Sequence, residues 1–195
     1  LSSALEKYAN LFGVSCGEKN VLFTNNDSAY ETAISLFKKG INVKAIIDNR
    51  EEVDSKLIKE TEKNNIKVFK GYTIVNTSGY KRINNISIMQ LSKDGQKVVG
   101  SKNSITCDCL GISGGWTPAV HLFTQSGGKL RFRDEDQVFI PNVYPSDQIS
   151  IGSCNGEFTL DEILSTVPKT LKEFLNLKNT DYEDLEIQSS FNKSK

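Results

Sequence analysis

Between Asn20 and Asp48 the chain reads NVLFTNNDSAYETAISLFKKGINVKAIID, and this stretch decides the fold. Val21, Leu22 and Phe23 form a short apolar run that suits a strand buried on both faces. A polar turn follows. Ser28 and Glu31 then have the Ser-x-x-Glu spacing of a capping box, so a helix is expected to start there. Ala29, Ala33, Leu36 and Phe37 recur at helical spacing, and Gly40 supplies a left-handed stop. Val43, Ala45, Ile46 and Ile47 make a second strand that ends on Asp48. A strand–helix–strand of this length is a βαβ unit, whose right-handed crossover places both strands in one parallel sheet.

The unit has the outline of a dinucleotide site. Such a site needs a Gly-x-Gly-x-x-Gly turn for close approach of a pyrophosphate, and an acid about 20 residues on for a ribose hydroxyl. Asp48 stands where the acid belongs, but the turn is Thr24, Asn25, Asn26, Asp27 and Ser28, without a glycine. Asp27 is itself an anion at a helix N-terminus, the place a phosphate would take. Two readings stay open: a phosphate cradle, or an ordinary βαβ scaffold whose loop is capped by its own side chains.

Working outward, 195 residues allow one large domain or one domain with extensions. Lys plus Arg and Asp plus Glu number 24 each, so no electrostatic footprint for nucleic acid or anionic lipid is expected. No apolar run approaches the ~18 residues of a membrane span. Residues 1–4 lead straight into an amphipathic pattern, so no signal peptide is expected, and a cytoplasmic protein is. Cys107 and Cys109 flank Asp108 in an expected strand and point in parallel, a poor geometry for a disulfide. A metal site would want a further Cys or His pair, and His121 is the only histidine. The four cysteines read as reduced, small apolar residues.

Leu1, Leu5, Tyr8, Leu11 and Phe12 form a helical stripe that stops at Gly13; its uncapped start suggests part of a longer protein. Asp54 is expected to cap a charged helix reaching Asn64, with Leu57 and Ile58 inward, before a third strand at Val68 and Phe69. Residues 72–76, 83–91 and 96–99 then alternate like antiparallel strands, with Asp94-Gly95 as a hairpin signal. Residues 104–112 read as one further strand. Gly114, Gly115, Trp116 and Pro118 break the pattern. Beyond them come a short helix over residues 119–125, strands at 130–132 and 138–141, and a short strand at 149–152. Thr159 and Glu162 repeat the capping-box spacing before a helix that Pro168 bends or restarts, and a polar, mobile tail is expected over 178–195. Trp116 offers either a stacking platform for an adenine or nicotinamide ring or a core anchor at a turn. His121 lacks a sequence-near partner and reads as a surface or packing residue rather than a general base.

Three blocks carry a resemblance: VLFTNNDSAYETA (21–33), SGGWTPAVHLFTQSGGKLRF (113–132) and GSCNGEFTLDEIL (152–164). They resemble the middle region of the alpha subunit of heterotetrameric sarcosine oxidase, and the likeness covers residues 1–175. Related alpha chains of opine and amine oxidases share parts of it. The resemblance implies a large chain whose middle part is like the pyridine-nucleotide disulfide reductases, followed by a folate-binding, aminomethyltransferase-like domain. It implies a complex that demethylates sarcosine to glycine oxidatively, makes peroxide and passes the one-carbon unit to tetrahydrofolate. The family's alpha chain carries NAD. FAD and FMN serve the complex, and the amine is oxidised in the beta chain. Partners implied are the beta, gamma and delta subunits. The segment of the reductases that returns to the first domain carries an Ala-Gly-Asp stretch against the cofactor. Here it reads Ser153, Cys154, Asn155 and Gly156, with Asn155 in place of the aspartate. The glycine motif of the first domain lies outside this chain.

The expectation is a three-layer, Rossmann-like α/β domain with a parallel sheet and a β-meander insertion, over residues 14–118. A returning segment of a neighbouring nucleotide-binding domain is expected over 119–177. Candidate cofactor contacts are Thr24, Asn25, Asn26, Asp27, Ser28, Asp48, Gly114, Gly115, Trp116, Asn155 and Gly156, with no catalytic or metal-binding residue. The function expected is a nucleotide-binding or structural domain of the oxidase, without chemistry of its own. Two rivals are a free-standing NAD(P)H oxidoreductase using Cys107 and Cys109, and a non-catalytic interaction module.

Overall fold

A computed structural model describes residues 1–175, positions 54 and 146 excepted. The expected Asp54 cap and the tail over 178–195 lie outside the described residues. The chain forms two compact units, Leu1–Gly115 and a second from Trp116 onward.

In the first unit, β1 (Asn20–Thr24), α2 (Ser28–Lys38) and β2 (Val43–Asp48) make the expected βαβ, preceded by α1 (Ser2–Phe12) and followed by α3 (Ser55–Lys63) and β3 (Lys67–Lys70). A three-stranded antiparallel meander comes next: β4 (Tyr72–Gly79), β5 (Ile83–Leu91) and β6 (Val98–Thr106). The chain then returns to the parallel sheet as β7 (Cys109–Ser113), and the strand order is β3-β2-β1-β7. Alternation along the strands explains the layers. Leu22, Ile46 and Val68 face one way and pack with Ala29, Tyr30, Ala33 and Leu36 of α2. Val21, Ala45, Ile47 and Phe69 face the other way, onto Ile86, Ile88 and Ile105 of the meander. Helices, parallel sheet and meander thus form three layers.

Several local readings need correction. Residues 104–112 are two strands in two sheets. The Cys107 amide bonds to the Asn84 carbonyl (3.3 Å), whereas the Asp108 amide bonds to the Lys19 carbonyl (3.2 Å), so adjacent residues hand the chain from meander to parallel sheet. Cys107 therefore sits in the corner and only Cys109 in a strand. No capping box forms at Ser28 and Glu31: Ser28 already lies in the first turn, Asp27 holds the cap position without a side-chain cap bond, and the Ser28 hydroxyl goes to Asn26. Phe37 is exposed, and Tyr30 and Ile34 are buried in its stead. The apolar stripe of α1 is only partly inward: Leu5 packs on the core, but Tyr8, Leu11 and Phe12 are exposed, the last two at 66% and 63%, while Ser2 and Ala9 are buried. The cause is Gly111 on β7. A Cβ there would come within 2.6 Å of Leu22 Cδ2 and 2.7 Å of Leu5 Cδ1. The bare backbone lets α1 sit on the strand through Ser2 and Leu5. Gly13 and Gly40 end α1 and α2 near φ 62° and 75°, as the sequence indicated.

The second unit holds α4 (His121–Gln125), the antiparallel pair β8 (Lys129–Arg133) and β9 (Val138–Val143), a 3-10 turn (Gly152–Asn155) and α5 (Leu160–Phe174). Residues 149–152 form no strand. Ile151 is extended, but Gly152 turns to φ 74° and its amide donates to Glu157 Oε2 at 3.1 Å. The Thr159–Glu162 capping box is formed, and α5 continues through Pro168 as one helix.

Candidate functional site at the carboxyl end of the parallel sheet

The chain moves outward from β1 through β2 to β3, then returns to the other side of β1 as β7. Loops leaving β1 and β7 diverge at that reversal, which is where doubly wound sheets open a crevice. In this chain the side chains of the two loops close it. Asn26 is buried and central. Its Nδ2 donates to the Ser113 carbonyl (3.1 Å) and to Asn25 Oδ1 (2.9 Å). Its Oδ1 accepts from the Ser28 amide (3.2 Å), the Ser28 hydroxyl (2.5 Å) and the Ser113 hydroxyl (3.2 Å). Thr24 Oγ1 accepts from the Asn26 amide (3.0 Å), while Asn25 Nδ2 donates to the Gly114 carbonyl (3.2 Å). Gly115 follows at φ 106°, a conformation that needs glycine.

Beside this knot lies an ion cluster. Asp48 is 0% exposed at the end of β2. Its carboxylate takes four donors: the Arg50 amide (2.9 Å) and Nε (3.1 Å) on Oδ1, and Arg50 Nη2 (2.8 Å) and the Tyr30 hydroxyl (3.0 Å) on Oδ2. Arg50 Nη2 also donates to Asp27 Oδ1 at 2.7 Å. One guanidinium thus bridges the acid at the mouth of α2 and the acid at the end of β2. Burial, then the Asp48 charge, pushes the Tyr30 hydroxyl far up. Desolvation opposes the Arg50 charge, but its bonds to Asp48 and Asp27 outweigh it and raise the guanidinium further. Burial, then Glu6, then Asp27 raises the Glu31 carboxyl. The sequence reading missed Arg50, Tyr30 and Ser113. A usable signal existed for Arg50, since a cation two residues beyond a strand-end acid can fold back on it.

Thr24, Asn25, Asn26, Asp27, Ser28, Asp48, Gly114 and Gly115 all fall in the first unit, around this crevice. Trp116, Asn155 and Gly156 fall in the second unit. Trp116 is 56% exposed rather than a core anchor. Asn155 Oδ1 accepts from the Tyr144 hydroxyl (3.3 Å), and the Gly156 carbonyl accepts from Arg133 Nη2 (2.9 Å). His121 is exposed at the start of α4. All four cysteines are free, and burial raises the Cys107 and Cys109 thiols, an environment unlike that of an activated dithiol. Among the described residues, no group of three or more His, Cys, Asp or Glu side chains could hold a metal ion, and no helix is long and apolar enough to cross a membrane.

No family model matches the chain. Solved structures show its fold. LpdA from Mycobacterium tuberculosis is 10% identical with a TM-score of 0.57, covering 89% of this chain and 38% of that one. The HOCl-induced flavoprotein disulfide reductase RclA from Escherichia coli, as its Cu(II) complex, is 11% identical with a TM-score of 0.56, covering 83% and 36%. The chain shares with them a Rossmann-like α/β fold, built on a parallel sheet with a meander insertion.

Sequence relatives are more particular. Sarcosine oxidase subunit alpha of Corynebacterium sp. (strain P-1) is 31% identical over 168 residues, 85% of this chain and 17% of that protein. The Rhizobium meliloti (strain 1021) subunit alpha is 29% identical over 146 residues, 72% and 13%. This chain matches a fragment of the sarcosine oxidase alpha subunit, and it spans about 17% of the length of the Corynebacterium relative.

Proposed function

We propose that this chain is the Rossmann-like segment of the alpha subunit of a sarcosine-oxidase-type complex, and that it serves as framework rather than as a dinucleotide site. The complex would demethylate sarcosine to glycine oxidatively, with peroxide and methylenetetrahydrofolate as products. FAD, FMN and any NAD would be held mainly by other domains and by beta, gamma and delta partners. The similarity to subunits of that name supports the first half. One observation carries the second: Arg50 bridges Asp27 to a wholly buried Asp48, whose four acceptor positions are filled.

The residues do not fit a dinucleotide. A ribose hydroxyl would have to displace Tyr30 or Arg50 from Asp48. A pyrophosphate would meet the Asp27 carboxylate at the mouth of α2, and the turn has side chains where close approach needs glycines. The dithiol alternative is disfavoured by the raised thiols of Cys107 and Cys109.

The test is to denature the purified chain and quantify released NAD by mass spectrometry, and to titrate NAD by calorimetry into the chain and into its Asn25→Gly/Asp27→Asn variant. Expected are no released NAD and weak binding that improves in the variant. Near-stoichiometric NAD, or tight binding by the unaltered chain that Asp27→Asn abolishes, overturns the framework reading.

A further inference from the structure

At the end of the parallel sheet opposite the crevice, the segment entering β1 is clamped to the residue before β7. The Asp108 carboxylate accepts the Glu18 amide at 2.9 Å and the Lys19 amide at 2.7 Å. Ser15 Oγ and Asn20 Nδ2 both donate to the Gly17 carbonyl, at 2.5 Å and 2.9 Å. Gly17 rests directly on Cys109, because a Cβ at position 17 would lie 2.6 Å from Cys109 Cβ. Cys16 directly precedes Gly17, its Cα about 3.8 Å from the Gly17 Cα. A cavity of about 470 Å³ opens at this place, lined by Ser15, Cys16, Gly17, Glu18, Asn42 and Arg82.

We propose that Cys16 and Cys109 are a peroxide-responsive thiol pair that closes to a disulfide, fastening the start of β1 to β7. Cys16 lines the cavity and is the thiol that peroxide reaches. Its thiolate attacks one peroxide oxygen: an S–O bond forms, the O–O bond breaks, and water leaves after taking a proton, which gives a sulfenic acid. The Cys109 thiolate then attacks the Cys16 sulfur. An S–S bond forms, the S–O bond breaks and a second water leaves, so two thiols and one peroxide give one disulfide and two waters.

The other two cysteines are poorly placed. Cys107 is 1% exposed, packed with Ile86 and Ile88 beneath the meander, and Cys154 belongs to the second unit. Burial first, then the neighbouring Cys16, Asp108 and Cys107, raises the Cys109 thiol, and Arg82 only partly opposes them. Attack by Cys109 is therefore slowed at neutral pH. Its rate should rise about tenfold per pH unit while that thiol is mostly protonated. None of this depends on the assignment of the chain to an oxidase.

The experiment treats the purified protein with hydrogen peroxide, alkylates the remaining thiols, digests it without reductant and maps the peptides by mass. The expected product is an intramolecular Cys16–Cys109 peptide pair, two hydrogens lighter than its separate peptides and released by dithiothreitol, with Cys107 and Cys154 alkylated. Cys16→Ser and Cys109→Ser, each checked for folding by circular dichroism, should lose the link, and Cys154→Ser should keep it. A Cys107–Cys109 link, a Cys16 sulfinic acid without cross-link, a link between two molecules or no reaction at all would each overturn the proposal.

Discussion

Arg50→Met tests the ion cluster that closes the crevice. The variant keeps an apolar stem and removes the guanidinium. Asp48, wholly buried, would keep the residue-50 amide and the Tyr30 hydroxyl but lose the Nε and Nη2 contacts at 3.1 Å and 2.8 Å. Asp27 would lose its 2.7 Å contact. Removing one partner of a buried ion pair costs about 3–5 kcal/mol, because the other charge is stranded. The Arg50 and Asp27 side chains keep 17% and 20% exposure, so water can soften part of the loss. The expected cost is therefore about 2–4 kcal/mol, a large share of a domain's total stability. Two compact units need not melt together, so a single melting curve is a poor readout. Hydrogen exchange of the β1 and β2 amides reads the first unit directly. Protection there should fall by that amount, and the double variant Asp48→Asn/Arg50→Met should recover much of it. A loss below about 1 kcal/mol, the range of an exposed ion pair, would refute the reasoning.

Three further outcomes follow from named contacts. Tyr30→Phe leaves one Asp48 acceptor without its buried donor and should cost about 1–3 kcal/mol by the same exchange measurement. Gly111→Ala brings a methyl against Leu22 and Leu5, so it should cost about 1–3 kcal/mol and loosen α1 first, seen as early exchange in Ser2–Phe12. Desolvation works against the Asp108 charge, but the Glu18 and Lys19 amides hold its carboxyl below the usual range. Its stabilisation is then complete above the ordinary carboxylate value and is lost as pH falls through the lowered one. Asp108→Asn should remove that part of the acid denaturation curve, and an unchanged curve would count against it.

The fold was legible where period and punctuation agree. Residues 20–48 read as strand, helix and strand in the right order, with β2 ending on Asp48 as expected, because apolar runs, helical spacing and Gly40 all carry the same message, although the cap fell on Asp27 rather than Ser28. The corner at Cys107 was not legible. Residues 104–112 have one continuous β-type composition, and only long-range bonds, to the Asn84 carbonyl on one side and the Lys19 carbonyl on the other, separate β6 from β7. The direction of the α1 stripe was hidden for a similar reason. Periodicity located an apolar face, but the packed face is chosen by the missing side chain of Gly111, about a hundred residues away.

At the crevice, the sequence named residues 24–28, Asp48, Gly114 and Gly115, which the structure gathers there, but missed Arg50, Tyr30 and Ser113, and it left the chemistry undecided between a phosphate cradle and a self-capped loop. The geometry weighs toward the second because of charge balance. Asp27 and Asp48 alone would place two carboxylates near one helix mouth, one of them fully buried, and a buried charge without a partner is costly. Arg50 resolves this by bonding to both, and it can do so only because the chain turns back immediately after β2. An incoming dinucleotide would have to undo that arrangement and then repel Asp27. A glycine turn avoids both difficulties by leaving the mouth open, whereas Asn25 and Asn26 fill it and tie it to Ser113 and Gly114. The absence of glycines and the presence of Arg50 are therefore two parts of one device, a Rossmann-type crevice held shut by the protein's own polar side chains.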